Sequence, residues 1–270
     1  MRIRTLPLAG IVTLTLMALA PAAPAGAQST GPEVAVAAPE ALRQPFVIRR
    51  PGSYFLPSNR RVGDITAIEI VSGDVTLDLR GHSVIGPGGR RGVGIAVRGV
   101  SNVRVHNGNL QNLAIGVLVE GATNVVVEDL KIDGQDSGGS PPDVEIGVLL
   151  VETRGARVSG NVITDTFLGV FVRGEESGGN RISGNLITGG ANGQLAICYN
   201  PAPDATDGGP DGDLVADNVI SHFSQGMAFS ADSTGNVVRG NAVAFFDAGI
   251  VEATAGSNVI AGNDEVQIAP

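Results

Sequence analysis

Residues 94–134 read GIAVRGVSNVRVHNGNLQNLA followed by IGVLVEGATNVVVEDLKIDG, two copies of one pattern laid end to end. Each copy has two marks: a Gly that opens an apolar alternation, and a Val or Ile that opens the second half of the unit. The Gly marks continue as Gly94, Gly116, Gly147, Gly169, Gly193, Gly226 and Gly249. The Val/Ile marks run Val105, Val127, Val158, Ile182, Val215, Val238 and Ile260. The unit is about 22 residues, and its period-2 alternation without a 3.6-residue face excludes a helical hairpin array.

Such a unit predicts a coil of short parallel strands, stacked on the next coil at roughly 4.8 Å, the strand spacing of a sheet. One coil has no core of its own, whereas several in register share a continuous one. The Val/Ile marks form one apolar column. Leu110, Ile132, Ile163, Ile187, Ile220 and Val243, five residues later, form a second. Val117, Val148 and Val170, with Val119, Leu150 and Val172 two residues on, form a third. Three residues after the Val/Ile mark stand Asn161, Asn185, Asn218, Asn241 and Asn263. Asn tolerates the left-handed backbone of a sharp turn, and stacked Asn side chains can hydrogen-bond along a ladder, so this column is read as structural.

From Ile68 to the C-terminus these repeats resemble those of right-handed parallel β-helix proteins, the pectin-lyase-like superfamily. PGSYFLPSNRR (51–61) followed by VTLDLRGHSVIGPGG (75–89) also resembles the opening segment of many secreted bacterial β-helix proteins whose activity is unassigned. The resemblance implies an all-β, single-domain right-handed parallel β-helix, a solenoid of about seven to eight coils. It does not imply one activity, because lyases, hydrolases, epimerases and binding proteins share this scaffold.

Residues 1–27 read as a secretory signal peptide. Arg2 and Arg4 precede the apolar run Leu6 to Ala20, and Ala25-Gly26-Ala27 forms a small-x-small cleavage site. A secreted or periplasmic location is therefore expected, with no membrane span, since no later run reaches ~18 apolar residues. Residues 28–42 are expected to form a flexible leader, 43–66 a cap over the N-terminal end, and 67–270 the β-helix. Of the 18 basic residues two lie in the signal peptide, leaving 16 against 27 acidic ones, a net charge of −11. No basic stripe of that composition favours nucleic acid. From Gln28 to Arg173 there are 14 basic and 15 acidic residues, and from Gly174 onward 2 and 12, so a polyanionic glycan is expected toward the N-terminal coils. Cys198 is the single cysteine, which excludes an internal disulfide. The oligomeric state is left open by the sequence.

Two insertions break the period: GQDSGGSPPD (134–143) enters a Gly-marked strand, and YNPAPDATDGGPDGD (199–213) leaves one. Both border the Gly-marked sheet, and long excursions on a regular scaffold are where binding tends to be built. Alternation points Leu118, Leu149 and Phe171 outward as an apolar stripe, with Arg98 and Arg173 in the next outward column. Seven residues after the Val/Ile marks the rim column reads Asn112, Gly134, Asp165, Gly189, His222, Phe245, with Asp133 one residue earlier in its coil. Two carboxylates and an imidazole suit acid and base roles, so Asp133, Asp165 and His222 are the catalytic candidates. Arg98, Phe171, Arg173 and Tyr199 are the substrate-binding candidates. An arginine would neutralise a uronate carboxylate, and Tyr199 or His222 would serve as base in a lyase or epimerase. The commoner role of Asp and Thr at such positions is local turn bonding.

The run Asp204, Asp207, Asp211, Asp213 is of the type that attracts Ca²⁺, but its spacing fits neither an EF-hand nor the nonapeptide repeat. No metal site and no cofactor are expected, and a solvated acidic loop is the simpler reading. The motifs of polygalacturonase-like hydrolases, of alginate C5-epimerases and of pectate-lyase calcium clusters are missing, so no family's catalytic residues carry over. The expected partner is a polysaccharide or cell-envelope glycan, bound or processed, with lyase or C5-epimerase chemistry ahead of hydrolysis. The competing class is a non-catalytic structural, adhesive or glycan-binding β-helix protein.

Overall fold

The computed structural model describes residues 32–36, 41–89, 91–134, 144–190, 193–200, 209–254 and 256–268. Its regular elements are all strands, and they stack in parallel register into three sheets of one β-helix, with the right-handed sense that twisted strands impose on parallel crossovers. Sheet A, the Gly-marked one, starts with Phe46–Ile48, Thr66–Ile70, Val93–Arg98, Ile115–Glu120 and Val144–Val151. Sheet B holds the Val/Ile marks in strands such as Arg157–Ser159, Arg181–Ser183 and Leu214–Ala216. Sheet C follows it. Several strands run around a corner, so that Ser101–Gln111 serves B and C, and Val162–Arg173 serves C and A.

The three apolar columns are the three walls of the interior. Val105 pairs with Val127, and the series continues through Val158, Ile182, Val215 and Val238 to Ile260. Leu110, Ile132, Ile163, Ile187, Ile220 and Val243 stack likewise in sheet C. Val117, Val148 and Val170 stack in sheet A. Stacking continues into the segment expected to cap the N-terminal end. Phe46–Ile48, Gly52–Phe55 and Arg60–Val62 pair in register with the next coil, so this segment is itself a coil. The solenoid therefore has about nine turns. The added coil has a Phe46-to-Ile68 step close to the repeat length but lacks the Gly mark.

The corners are set by residues in the left-handed region. Between A and B these are Asp74, Asn102, Asn124, Gly155, Gly179, Gly212 and Gly235. Between B and C they are Asn107, Asp129, Gly160, Gly184, Asp217, Gly240 and Gly262. Their φ values lie between +52° and +67°. Gly, Asn and Asp tolerate this backbone, which explains their recurrence at fixed spacing.

Inside the B–C corner the Asn ladder forms as the spacing predicts. Asn185 donates from Nδ2 to Asn218 Oδ1 (3.0 Å) and to the Val158 carbonyl (2.9 Å), while its backbone N–H shares the Asn218 Oδ1. Asn161, Asn218 and Asn241 repeat the pattern. A second ladder, inside the A–B corner, joins Asn180, Asp213, Asn236 and Asn258. It ends on Glu252, which accepts from the Asn258 backbone and side chain, from Ser257 and from Gly256.

Candidate functional site

Sheet A presents three columns outward. Ala96, Leu118, Leu149, Phe171 and Cys198 stack in one. Val93, Ile115 and Ile146 flank it on one side, and Arg98, Glu120, Val151 and Arg173 on the other. The flanking aliphatic side chains leave Leu118 and Leu149 only 8% exposed each, so the stripe is a sealed apolar surface rather than a row of knobs. Phe171, half-buried, is the accessible ring on it.

The two arginines of this face differ. Arg98 is tied to Glu69 (3.5 Å) and to Glu120, so its charge is neutralised within the sheet. Arg173, three rungs away or roughly 14 Å by strand spacing, makes no ion pair among the described residues. Its Nε is buried without a hydrogen-bond partner. Buried donors are normally paired, and an unpaired one marks a place where an acceptor is missing. The insertions expected to wall this face, 135–143 and 201–208, lie outside the described residues.

Asp133, Asp165 and His222 are elsewhere. Asp133 pairs with Thr164 on the outer face of sheet C and lies 4.0 Å from Lys131. Asp165 and His222 occupy the C–A corner with φ of +53° and +59°, as Asn112 does with +56°. They alternate there with glycines for a steric reason: a Cβ at Gly134 would coincide with the Asp165 carbonyl oxygen, and one at Gly189 would meet that of His222. The rim column is thus a set of left-handed residues, each turning its carbonyl into the space of a glycine on the coil before. Asn, Asp and His are the non-Gly types enriched in that conformation. Asp165 and His222 are two rungs apart, roughly 10 Å. Asp165 and Arg173 stand at opposite ends of one strand, about 25 Å apart at the extended rise per residue. His222 packs edge-on against Phe246, ring centroids 6.2 Å apart.

Tyr199 lies inside the coil. It is 1% exposed, stacks on Phe229 at 4.7 Å and donates its hydroxyl to Asp213 Oδ2 at 3.0 Å. Burial, then the Asp213 charge and hydrogen bond, push its hydroxyl well above the usual range. The register around it departs from the Gly mark: Gly169 stacks on Ala196, not on Gly193, because Leu168 pairs with Leu195 and Val170 with Ile197. Asp213 is likewise interior, so the aspartate run is not one surface cluster. Asp211 accepts from the Thr234 backbone and hydroxyl, and Asp204 and Asp207 lie outside the described residues. The second ladder went unread, although Asn180, Asp213, Asn236 and Asn258 each stand two residues before a Val/Ile mark.

In fold, the chain is similar to an exopolygalacturonase from Thermotoga maritima, with a TM-score of 0.57, 9% identity, and 80% of this chain covering 54% of that one. It is also similar to the enzymatically active domain of tailspike protein 2 from bacteriophage CBA120, with a TM-score of 0.54, 12% identity, and 85% of this chain covering 38% of that one. At such identities the likeness is one of fold, and the chain spans about half the length of the exopolygalacturonase. Comparison with curated proteins by sequence finds no match. A family model described as "Periplasmic copper-binding protein (NosD)" matches residues 70–267.

Copper takes imidazole, thiolate and thioether ligands, and the described residues do not fit it. No group of three His, Cys, Asp or Glu side chains among them converges on one point. Cys198 lies in the apolar outer column, where burial pushes its thiol up to about 11, and Met227 is sealed in the core. No helix among the described residues is long and apolar enough to cross a membrane. The repeat period, the stacked columns and a family match over most of its length make this chain a member of the NosD family of β-helix proteins.

Proposed function

We propose that the protein is exported and binds a polysaccharide across the outer face of sheet A, with Phe171 as the stacking surface and Arg173 as the anchor for an acidic group. The observation that carries this reading is Arg173, a cation beside an apolar stripe, with no carboxylate partner among the described residues and a buried, unpaired Nε. A carboxylate on the ligand would supply the missing acceptor, and the guanidinium fork favours that geometry. The fold neighbours, an exopolygalacturonase and a tailspike, lend support to a glycan as partner.

Lyase or C5-epimerase chemistry is the second reading, favoured by the same unneutralised arginine. Binding stands first because a base must reach the proton it removes, and Asp165 and His222 are far from Arg173. The test is to incubate the protein with uronate-containing and neutral polysaccharides, following affinity, unsaturated products by ultraviolet absorbance, and reducing ends. The expected result is glycan binding that F171A and R173Q each weaken about tenfold, about 1.4 kcal/mol. Binding unaffected by either substitution overturns the assignment to sheet A. Unsaturated products abolished by R173Q would establish the lyase.

A further inference from the structure

The outer face of sheet B carries a second feature, and it runs against the overall charge distribution. In the first coils the arginine of this face is neutralised: Arg104 bonds Glu128 through Nε at 2.6 Å, and His106 lies in strand register between Asp78 and Glu128. Beyond Glu128 the character changes. Arg157 stacks directly on Arg181, and Ser159 on Ser183. Ser183, Ala216 and Arg239 follow one another in the same outward column. Arg181 and Arg239 are the two basic residues in the chain after Gly174, among 12 acidic ones, and both are on this face.

None of these three arginines makes an ion pair among the described residues, whereas Arg80, Arg98, Arg104 and Arg154 each do. Like charges directly opposite on neighbouring strands are destabilising. Here two arginines stand on adjacent strands, roughly 4.8 Å apart along the stack, and among the described residues the partner is the Ser183 hydroxyl, 3.1 Å from Arg181 Nε. The borders of the two rungs differ: the Asn124 side chain and the Asp129 carboxylate lie over Gly155 and Gly160 of the Arg157 rung, while the Arg181 rung is bare. Strand Arg157–Ser159 lies between Gly155 and Gly160, and strand Arg181–Ser183 between Gly179 and Gly184. The preceding coil has Asn124 and Asp129 at those corners. Space beyond Gly179 and Gly184 is open. On the next rung the flanking acids are Asp211 at the A–B corner, which accepts from the Thr234 backbone and hydroxyl, and Asp217 at the B–C corner, whose carboxylate lies over Gly240.

We infer that the outer face of sheet B, at Arg157, Ser159, Arg181, Ser183 and Arg239, binds the carboxylates of an acidic polysaccharide lying along the helix axis. A ladder of cations one and two rungs apart matches a ligand with repeated negative charges better than a single small anion. Guanidinium forks bind carboxylates bidentately, and serine hydroxyls add donors. The open space beyond Gly179 and Gly184 leaves the borders of the Arg181 rung free of side chains. The inference takes from the proposed function only that the partner is a glycan, and it places acidic chains on a different face.

The experiment is titration of the full chain with polygalacturonate, alginate, dextran sulfate and neutral dextran, at low and at physiological salt. The chains compared are wild type, R157Q/R181Q, R239Q and F171A/R173Q, with unfolding curves confirming that each is folded. The expected result is at least about tenfold weaker binding of the uronate polymers by R157Q/R181Q, with a shallower salt dependence, and a smaller loss for R239Q. Unchanged uronate binding by R157Q/R181Q overturns the inference, and loss confined to F171A/R173Q leaves only the sheet A reading standing. Failure of the wild type to bind either uronate polymer also overturns it, as does binding confined to dextran sulfate. Neutral dextran bound through Phe171 would still support sheet A.

Discussion

Asp213 occupies the one rung of the A–B ladder that has no amide. Its carboxylate accepts from the Asn180 backbone N–H (2.6 Å), from Asn180 Nδ2 (3.2 Å) and from the Tyr199 hydroxyl, but it has no Nδ2 with which to reach Asn236. Burial raises its carboxyl above the usual aspartate range, and the bonds from Asn180 and Tyr199 offset this only in part. The folded chain therefore keeps a proton that the unfolded chain releases. The stability tied to this group is full below the ordinary aspartate pKa, about 3.9, and is lost as pH rises through the folded value. Asp213→Asn restores the amide of the other rungs and removes the titration. Thermal unfolding followed from acid to neutral pH is expected to show a downward slope in the wild type that D213N flattens. An unchanged slope would place the titration elsewhere. Asp213 answers to the ladder's hydrogen bonds, whereas Asp165 and His222 answer to backbone conformation before chemistry.

The ladders divide the solenoid into two regimes. In the early coils Val103 and Val125 fill the A–B corner, while Leu79 and Leu130 fill the B–C corner; from Asn161 and Asn180 onward amides replace them. Asn218, wholly buried, accepts from the Asn185 backbone and side chain and donates to Asn241 and the Ile182 carbonyl. Asn218→Ala leaves several buried groups unpaired and is expected to cost on the order of 3 kcal/mol, against roughly 1 kcal/mol for Asn263→Ala at the half-exposed end. Denaturant unfolding of the two variants checks the difference, and equal losses would refute a ladder whose strength depends on burial. The B–C ladder and all three apolar walls were legible because their spacing from a single mark is constant. The A–B ladder was not, since its early positions are aliphatic and its later ones include an aspartate. The candidate site was legible where alternation decides direction, at Leu118, Phe171 and Arg173. It was not at Tyr199, whose Gly mark is replaced by Ala196, nor at Arg157 and Arg181, whose meaning depends on their forming no ion pair among the described residues.

For the molecule as a whole, successive coils meet in one strand register, with aliphatic corners early and amide rungs later. Val259 and Val266, in outward columns of the last described rungs, are 60% and 59% exposed. Asp217 and Gly240 share one left-handed corner position on successive coils, followed by Asn218 and Asn241. Deleting residues 217–239 joins Ala216 to Gly240 and brings Asn241 beneath Asn185, Val243 beneath Ile187 and Ile250 beneath Ile197, each contact of the kind it replaces. The shortened chain is expected to fold with an unchanged far-ultraviolet spectrum per residue. An aggregated or unfolded product would mean that the coils are less alike than their register. Because the amide rungs repeat the same donors and acceptors, the pitch of this protein is fixed while its length is not. Gain or loss of a whole coil can move two faces of the rod relative to its ends without redesigning any contact between them.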